Sequence, residues 1–461
     1  MKERLNKFLN SSEEKAFDIK HKEKLGFNIS QYDKSVVKGK QLYSDLELAK
    51  KRAAHIKHKV IANLDKHLVE FETNFTSRGG KVIWAEDRED AVGKILKVMD
   101  GVQAKSAVKG KSMTTEELLL NEALGEHNIE PVETDLGEYI VQLAGEKPYH
   151  IVTPAMHKSK EDVAELFHNK KGLPQNSTPE EITAFVRKVL RKKFTQAEVG
   201  ITGANFMVSD IGGIAITENE GNALLTTSFP KIHIAIVGIE KMIPLMKDLD
   251  LYWSLLATHG TGQHITVYNS IITGPKQPGE EDGPDEMYVV ILDNGRTNLL
   301  AEADKRDALN CIRCGACLNG CPIYKNIGGH SYDSAYSGPI GSIITPHYNG
   351  MKEFKHLSYA SSLCGKCTEI CPMKIDIHKL LLYNRAQSVR ENLNTKQEKW
   401  SMVLWKKGML NRKVMDKLGS RIKNTILEIL FNQSWGQRRA LPKLSKKSFN
   451  QMWRKKNKNK D

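Results

Sequence analysis

No stretch of the 461 residues stays apolar for the roughly 18 positions that a membrane-crossing helix needs. The first residues, Met1 to Lys7, mix charges and lead into no hydrophobic region, so no signal peptide is expected and the expected location is cytoplasmic. Cysteine is missing before residue 311 and after residue 371. All seven cysteines share one short window, an odd number that does not suit the disulfide framework of a secreted protein. Neither a P-loop nor a Gly-x-Gly-x-x-Gly fingerprint follows any strand-like run. What remains is ordinary for a soluble protein with real cores: 40% hydrophobic and 27% charged residues, in a chain long enough for about three domains.

Charge is unevenly placed. Of the 69 Lys and Arg, 21 lie in residues 384–461 against 5 of the 55 Asp and Glu, a net of +16. The first 383 residues are left at −2, so the basic character belongs to an appendage.

Texture divides the chain into four parts. Residues 1–75 read as a helical N-terminal segment, since 43–71 hold neither Gly nor Pro and carry spaced apolar positions. Residues 76–297 alternate short β-rich runs with helical ones. Lys81 to Ala85 reads as a buried strand, and the alternation continues through Ala104 to Val108, Pro131 to Thr134, His150 to Val152, Gly213 to Ile216, His233 to Val237 and Met287 to Leu292. This predicts an α/β layer fold on a largely parallel sheet. Thr114 and Thr115 offer N-cap chemistry for a helix. Residues 298–383 hold the cysteines. Residues 384–461 form a basic helical extension, with an apolar stripe at Val414, Leu418, Ile422 and Ile426 and a Lys/Asn-rich end expected to be disordered after Leu441.

Cys311, Cys314, Cys317 and Cys321, followed by Pro322, form a C-x2-C-x2-C-x3-C-P run. This is the spacing of bacterial two-cluster ferredoxins, in which three thiolates on a tight loop cap one cubane and the fourth reaches another. Structural zinc prefers two separated C-x2-C knuckles. A second copy follows at Cys364, Cys367 and Cys371, closed by Pro372. Aligning the two Cys-Pro ends puts Ser361 where the first copy has Cys311. Crossed ligation assigns Cys311, Cys314, Cys317 and Cys371 to one cluster, and Cys321, Cys364 and Cys367 to another. Two [4Fe-4S] clusters are expected. The second has three cysteines, so Ser361 ligates through oxygen, a water or exogenous group completes it, or it is [3Fe-4S]; a solvated loop serine fits equally. One cluster with spare cysteines is the competing arrangement.

Gly-containing turns at 201–205, 210–213, 220–222 and 272–275 suit anion binding or simply positive φ. Asp135, Glu138, Asp210, Glu218 and Glu220 are candidates for acid–base work, with no paired constellation demanding it. His150, His157, His233 and His264 read as core or surface histidines rather than ligands. No catalytic residue is assigned.

The motifs at 111–117, 133–138, 200–206 and 272–275, taken with the cysteine pair and basic extension, resemble the lactate-utilisation (LUD) domain family of iron–sulfur proteins. The resemblance spans nearly the whole chain. It implies a sugar-isomerase/CoA-transferase-like α/β domain beside the two-cluster ferredoxin-like one, and its cluster cysteines match the seven here one for one. It further implies electron transfer in the oxidation of L-lactate to pyruvate, with a cysteine-rich partner protein and a shorter LUD-domain protein. The alternative is that the α/β domain itself binds and oxidises a carboxylate or acyl substrate, with the clusters as electron acceptor. Four of six tryptophans, Trp400, Trp405, Trp435 and Trp453, lie in the basic extension, which suits docking on a partner or the protein's own body, or contact with an anionic membrane surface. Nucleic acid is not an expected partner.

Overall fold

The computed structural model describes residues 2–411, 413, 416–417, 419–435 and 440–458. It forms two compact units, residues 1–387 and 388–461.

The first unit opens with four helices, Lys2–Phe17, Ile19–Lys40, Leu46–Ala62 and Leu64–Thr76. A six-stranded sheet follows in the order β1-β10-β7-β4-β2-β3, every neighbouring pair parallel. Its strands are β1 (Lys81–Ala85), β2 (Ser106–Lys109), β3 (Glu130–Glu133), β4 (Val199–Gly203), β7 (Ile232–Gly238) and β10 (Glu286–Leu292). The central strand β7 is buried at every position, as expected of an uninterrupted apolar run with both faces covered. A second sheet, not anticipated from the sequence, has the order β8-β5-β6-β9. It joins β5 (Phe206–Val208), β6 (Gly213–Glu218), β8 (Met242–Ile243) and β9 (Tyr268–Ile272).

Several local expectations are corrected. β1 is an edge strand with Trp84 exposed, not a buried one; its indole N–H donates to Glu72. Residues 150–152 form bends rather than a strand, because His150 Nδ1 accepts from the amides of Val152 and Thr153 and curls the chain around itself. The helix expected to start at Thr114 is Met113–Leu118, capped by Ser112 through the Thr115 amide. The end of the chain contains a helix, Phe449–Lys458, with the Ser448 hydroxyl accepting from the Gln451 amide. Of the expected apolar stripe, Val414 and Leu418 lie outside the described residues; Ile422 and Ile426 sit exposed on Ser420–Trp435.

The cysteine segment has no core of its own. Its Leu318, Tyr324, Ile340, Leu357 and Leu381 share one buried cluster with Phe8 and Ala53 of the first helices, Phe206 of the second sheet and Tyr252 of the helix Leu249–Gly260. A charged network ties the same parts together. Arg296, with 0% exposure, donates from Nη1 and Nη2 to Glu117 at 2.9 and 2.8 Å and from Nε to Glu240 at 2.6 Å. From the cysteine segment, Tyr336 donates to Glu117 at 2.7 Å and Arg313 to Glu240 at 3.2 Å. Burial alone would raise the Glu240 carboxyl, but Arg296 and Arg313 outweigh it and hold it at about 2.

Removing one partner of such a network strands a charge in the interior. Arg296→Met is therefore expected to destabilise the full-length protein by about 3–5 kcal/mol in urea unfolding. A wild-type midpoint in that variant would show that Glu117 and Glu240 do not depend on it.

Candidate metal centre and adjoining cavity

The two cysteine loops are built alike. In each, the cysteine seven residues before the Cys-Pro end is flanked by left-handed residues: Arg313 (φ 60°) and Gly315 (φ 79°) around Cys314, Leu363 (φ 54°) and Gly365 (φ 79°) around Cys364. Such alternation turns successive amides to one side, a concavity suited to an anionic group. Short helices, Ala316–Asn319 and Lys366–Ile370, start directly after the two glycines. The two helices pack on each other, with the Ile370 side chain lying over Gly320. The equivalence reaches Ser361. The Arg313 amide donates to Cys311 Sγ at 3.4 Å, and the Leu363 amide donates to Ser361 Oγ at 3.2 Å. Ser361 thus holds the same backbone relationship as Cys311, one repeat later.

Electrostatically the thiols fall into two sets. Burial pushes Cys314 up, and Cys311 and Cys371 push it further; Cys317 is raised by burial, then by Cys311, Cys314 and Cys371. Cys371 is pushed up to about 12 by burial and Cys311. Cys367 rises to about 11 through burial, then Cys321 and Cys364, and Cys321 through burial and Cys364. Five of the seven are buried, Cys311 is partly so, and Cys364 is exposed. Protonated thiols crowded this way gain nothing from one another, whereas a metal core deprotonates a coordinating thiol outright. A single zinc with bonds near 2.3 Å would draw its sulfurs to about 3.8 Å. Among the described residues, the trios of ligating side chains gathered within 4.8 Å are Glu146, His157 and His330, and Glu116, Glu133 and Glu138; no three cysteines are gathered that closely. Amides serve these sulfurs as well, with Tyr324 donating to Cys321 at 3.5 Å. Cations surround the first set: Lys57 and Arg313 both interact with Cys311.

A cavity of about 410 Å³ lies beside this set, with Cys314 and Arg313 in its wall. It opens where β2 and β4 end, at Lys111, Ser112 and Gly203, and is closed on another side by the last turn of Leu249–Gly260. Acidic groups line one part. Asp135 caps the helix Leu136–Ala144, and Glu218 accepts from the amides of Ala223 and Leu224 at 2.7 and 2.9 Å. Glu220 is raised to about 6 by burial and by Asp135. On the basic side, Lys111 donates to the Val152 carbonyl at 2.7 Å. Lys241 is held down to about 8 by burial and by Arg313.

The remaining sequence candidates scatter. Asp210 lies outside the cavity and accepts from the Met246 amide. Glu138 is buried with Lys109, Glu116 and Glu133. His150 bonds Asn319 at 3.1 Å, His233 bonds Thr202 at 2.8 Å, and His157 bonds Glu146 at 2.6 Å. His264 packs edge-on to Tyr43. Lys241 and Arg313 escaped the sequence reading; the only signal was a charged pair, Glu240 and Lys241, directly after the apolar run of β7.

Known families agree with this architecture. Residues 68–292 match the LUD domain and residues 307–375 the 4Fe-4S dicluster domain. The chain is 43% identical over 406 residues to lactate utilization protein B of Bacillus cytotoxicus, covering 86% of this chain and 85% of that one. It is 45% identical over 368 residues to lactate utilization protein B of Bacillus thuringiensis, covering 80% and 77%. Over 414 residues it is 40% identical to the uncharacterized electron transport protein YkgF of Escherichia coli, covering 88% and 87%. With a LUD domain joined to a dicluster segment, and these identities running through both, the chain belongs to the lactate utilization protein B family.

Proposed function

We propose that this protein is an iron–sulfur electron-transfer subunit taking part in the oxidation of L-lactate to pyruvate. The observation that carries the reading is the division of seven thiols into two neighbouring sets. Cys311, Cys314, Cys317 and Cys371 would hold one cluster, and Cys321, Cys364 and Cys367 the other, with Ser361 at the vacant fourth position. When bound, two such clusters supply paired one-electron carriers, matching the two electrons that leave a hydroxy acid as it becomes an oxo acid. The chain's own part is to hold the thiolates at fixed separation and donate amides to sulfur. Lys57 and Arg313 offset the negative charge that four thiolates bring there.

The relatives' names place them in lactate utilization and electron transport. By the family resemblance, its partners would be a cysteine-rich protein and a shorter LUD-domain protein. No helix among the described residues is long and apolar enough to cross a membrane. The basic extension instead presents Trp400 and Trp405, 66% and 61% exposed, on the helix Lys396–Leu410. We assign this surface to docking on a partner. The cavity beside Cys314 favours one second reading, in which the α/β domain binds a carboxylate or acyl substrate next to its electron acceptor.

Anaerobically purified protein is expected to be brown, with about seven or eight irons per chain and matching sulfide. Cys371→Ser and Cys367→Ser should each remove one cluster's signal from the EPR spectrum of the reduced protein and leave the other. Colourless protein binding zinc, or variants that retain both signals, would end the ligand assignment. Ser361→Cys reads the vacant position: any oxidised three-iron signal in the parent should vanish in the variant, with about one iron gained. An unchanged spectrum and iron count would mean that residue 361 does not face the cluster. For the extension, a chain ending at Asn394 should behave like full-length protein in flotation with anionic liposomes. Salt-sensitive flotation of the full-length chain alone would replace partner docking with membrane contact.

A further inference from the structure

Lys109 closes β2 and Glu133 closes β3, so both stand at the carboxyl end of the parallel sheet, where open α/β sheets receive ligands. Glu116 joins them from the helix Met113–Leu118 and Glu138 from Leu136–Ala144. One oxygen from each of the three glutamates lies within 4.8 Å of the other two. The side chains of Lys109, Glu133 and Glu138 are at most 3% exposed, and that of Glu116 is 15% exposed. Burial alone would lower the Lys109 ammonium, but Glu133, Glu116 and Glu138 outweigh it and raise it, so its charge is kept. Three carboxylates against one ammonium leave a surplus of two negative charges. Donors also run out before acceptors do. Lys109 reaches Thr115 Oγ1 at 2.9 Å, Glu133 Oε1 at 2.8 Å and Glu116 Oε1 at 3.4 Å. Asn121 donates to the same Glu133 oxygen at 2.7 Å. Among the described residues, Glu133 Oε2, both Glu138 carboxyl oxygens and Asn121 Oδ1 are buried with no hydrogen-bond partner. Buried acceptors in that state are costly, and several around one point call for a donor or a cation.

We infer that Glu116, Glu133 and Glu138 bind a hard divalent cation at the carboxyl end of β2 and β3. The donors are all oxygen, a set that suits magnesium, calcium and manganese rather than the nitrogen- and sulfur-seeking metals. Two positive charges match the surplus. Distance agrees as well, since oxygens on opposite sides of one ion stand about 4.2 Å apart around magnesium and about 4.8 Å apart around calcium. A proton is the rival occupant, because burial and then Glu133 push the Glu138 carboxyl well up. Shared between Glu138 and Glu133, a proton serves two of the free oxygens and cancels one charge, whereas the cation reaches all three carboxylates. The trio of Glu146, His157 and His330 is the poorer site, as Glu146 already bonds His157 at 2.6 Å and Lys158 at 2.7 Å. The cation joins the chain leaving β2 to the chain leaving β3. Gly110 to Thr114 on one side, and Asp135 and Gly137 on the other, line the cavity beside Cys314, while none of the three glutamates does. The ion therefore braces two stretches of the cavity wall from outside the cavity.

The test is a Mn²⁺ titration of anaerobic, cluster-loaded full-length protein after passage over chelating resin, followed by loss of the free-ion EPR signal. Melting temperature with and without Mg²⁺ is measured beside it. One Mn²⁺ per chain should bind and be displaced by Mg²⁺ or Ca²⁺, and Mg²⁺ should raise the melting temperature. Glu138→Gln should weaken Mn²⁺ at least about tenfold and remove the melting shift, with iron and sulfide unchanged. His157→Gln should bind Mn²⁺ as the parent does. Absence of binding, Mn²⁺ that neither competitor displaces, unchanged affinity in Glu138→Gln, or loss of binding in His157→Gln would overturn the inference. A parent that Mg²⁺ does not stabilise, with Glu138→Gln melting higher than it, would assign the position to a proton instead. Should Glu138→Gln fail to fold, Glu116→Gln at the solvent side of the cluster should show the same weakening, and parent-like affinity there overturns the inference. These glutamates belong to neither proposed cluster, so protein without iron would overturn the cluster reading and leave the Mn²⁺ titration to decide this one.

Discussion

A guanidinium with no access to water organises this molecule. Arg296 cannot shed its charge, and the interior offers no substitute for hydration except matched carboxylates. Glu117 comes from the helix after β2 and Glu240 from the turn after β7, so satisfying Arg296 fixes two crossover ends of the sheet against each other. Glu240 then uses its second oxygen for Arg313, inside the first cysteine loop. The loop is therefore registered to the sheet through one carboxylate. Tyr336 repeats the attachment at Glu117. Outside this network the cysteine segment meets the α/β region through apolar contacts and a few hydrogen bonds, among them His150 with Asn319 and the Tyr324 hydroxyl donating to the Tyr149 carbonyl.

How much of this was legible from sequence follows from how local each feature is. Cysteine spacing is a property of a dozen consecutive residues, and the matched left-handed pairs around Cys314 and Cys364 bear out the repeat read from it. Apolar runs such as those of β7 and β10 declare buried parallel strands in the same way. Features decided by distant neighbours were misread or missed. β1 has the composition of an interior strand, yet only its position at the sheet's edge leaves Trp84 exposed. Residues 150–152 carry β-branched side chains but bend because His150 turns its ring onto the following amides. Of the second sheet only β6 was read as a strand; β5 and β8, of three and two residues, are too short for periodicity to register. Asp135, Glu218, Glu220, Lys241 and Arg313 are spread over some 180 positions, and no motif foretells that they line one cavity.

The two cysteine sets also stand in unequal surroundings, and the inequality has a direction. The first set lies under the sheet's network, with cations beside Cys311 and a cavity at Cys314. The second has an exposed cysteine, Cys364, and a serine where the first has Cys311. If the sets hold clusters as proposed, the cavity adjoins only the first, because its wall contains Cys314 and no residue of the second set. A protein partner, by contrast, can approach the second, where Cys364 lies at the surface. The two sites therefore differ in access, one beside an interior cavity and one at the surface. Packing between Ala316–Asn319 and Lys366–Ile370, with the Ile370 side chain over Gly320, keeps the two sites adjacent.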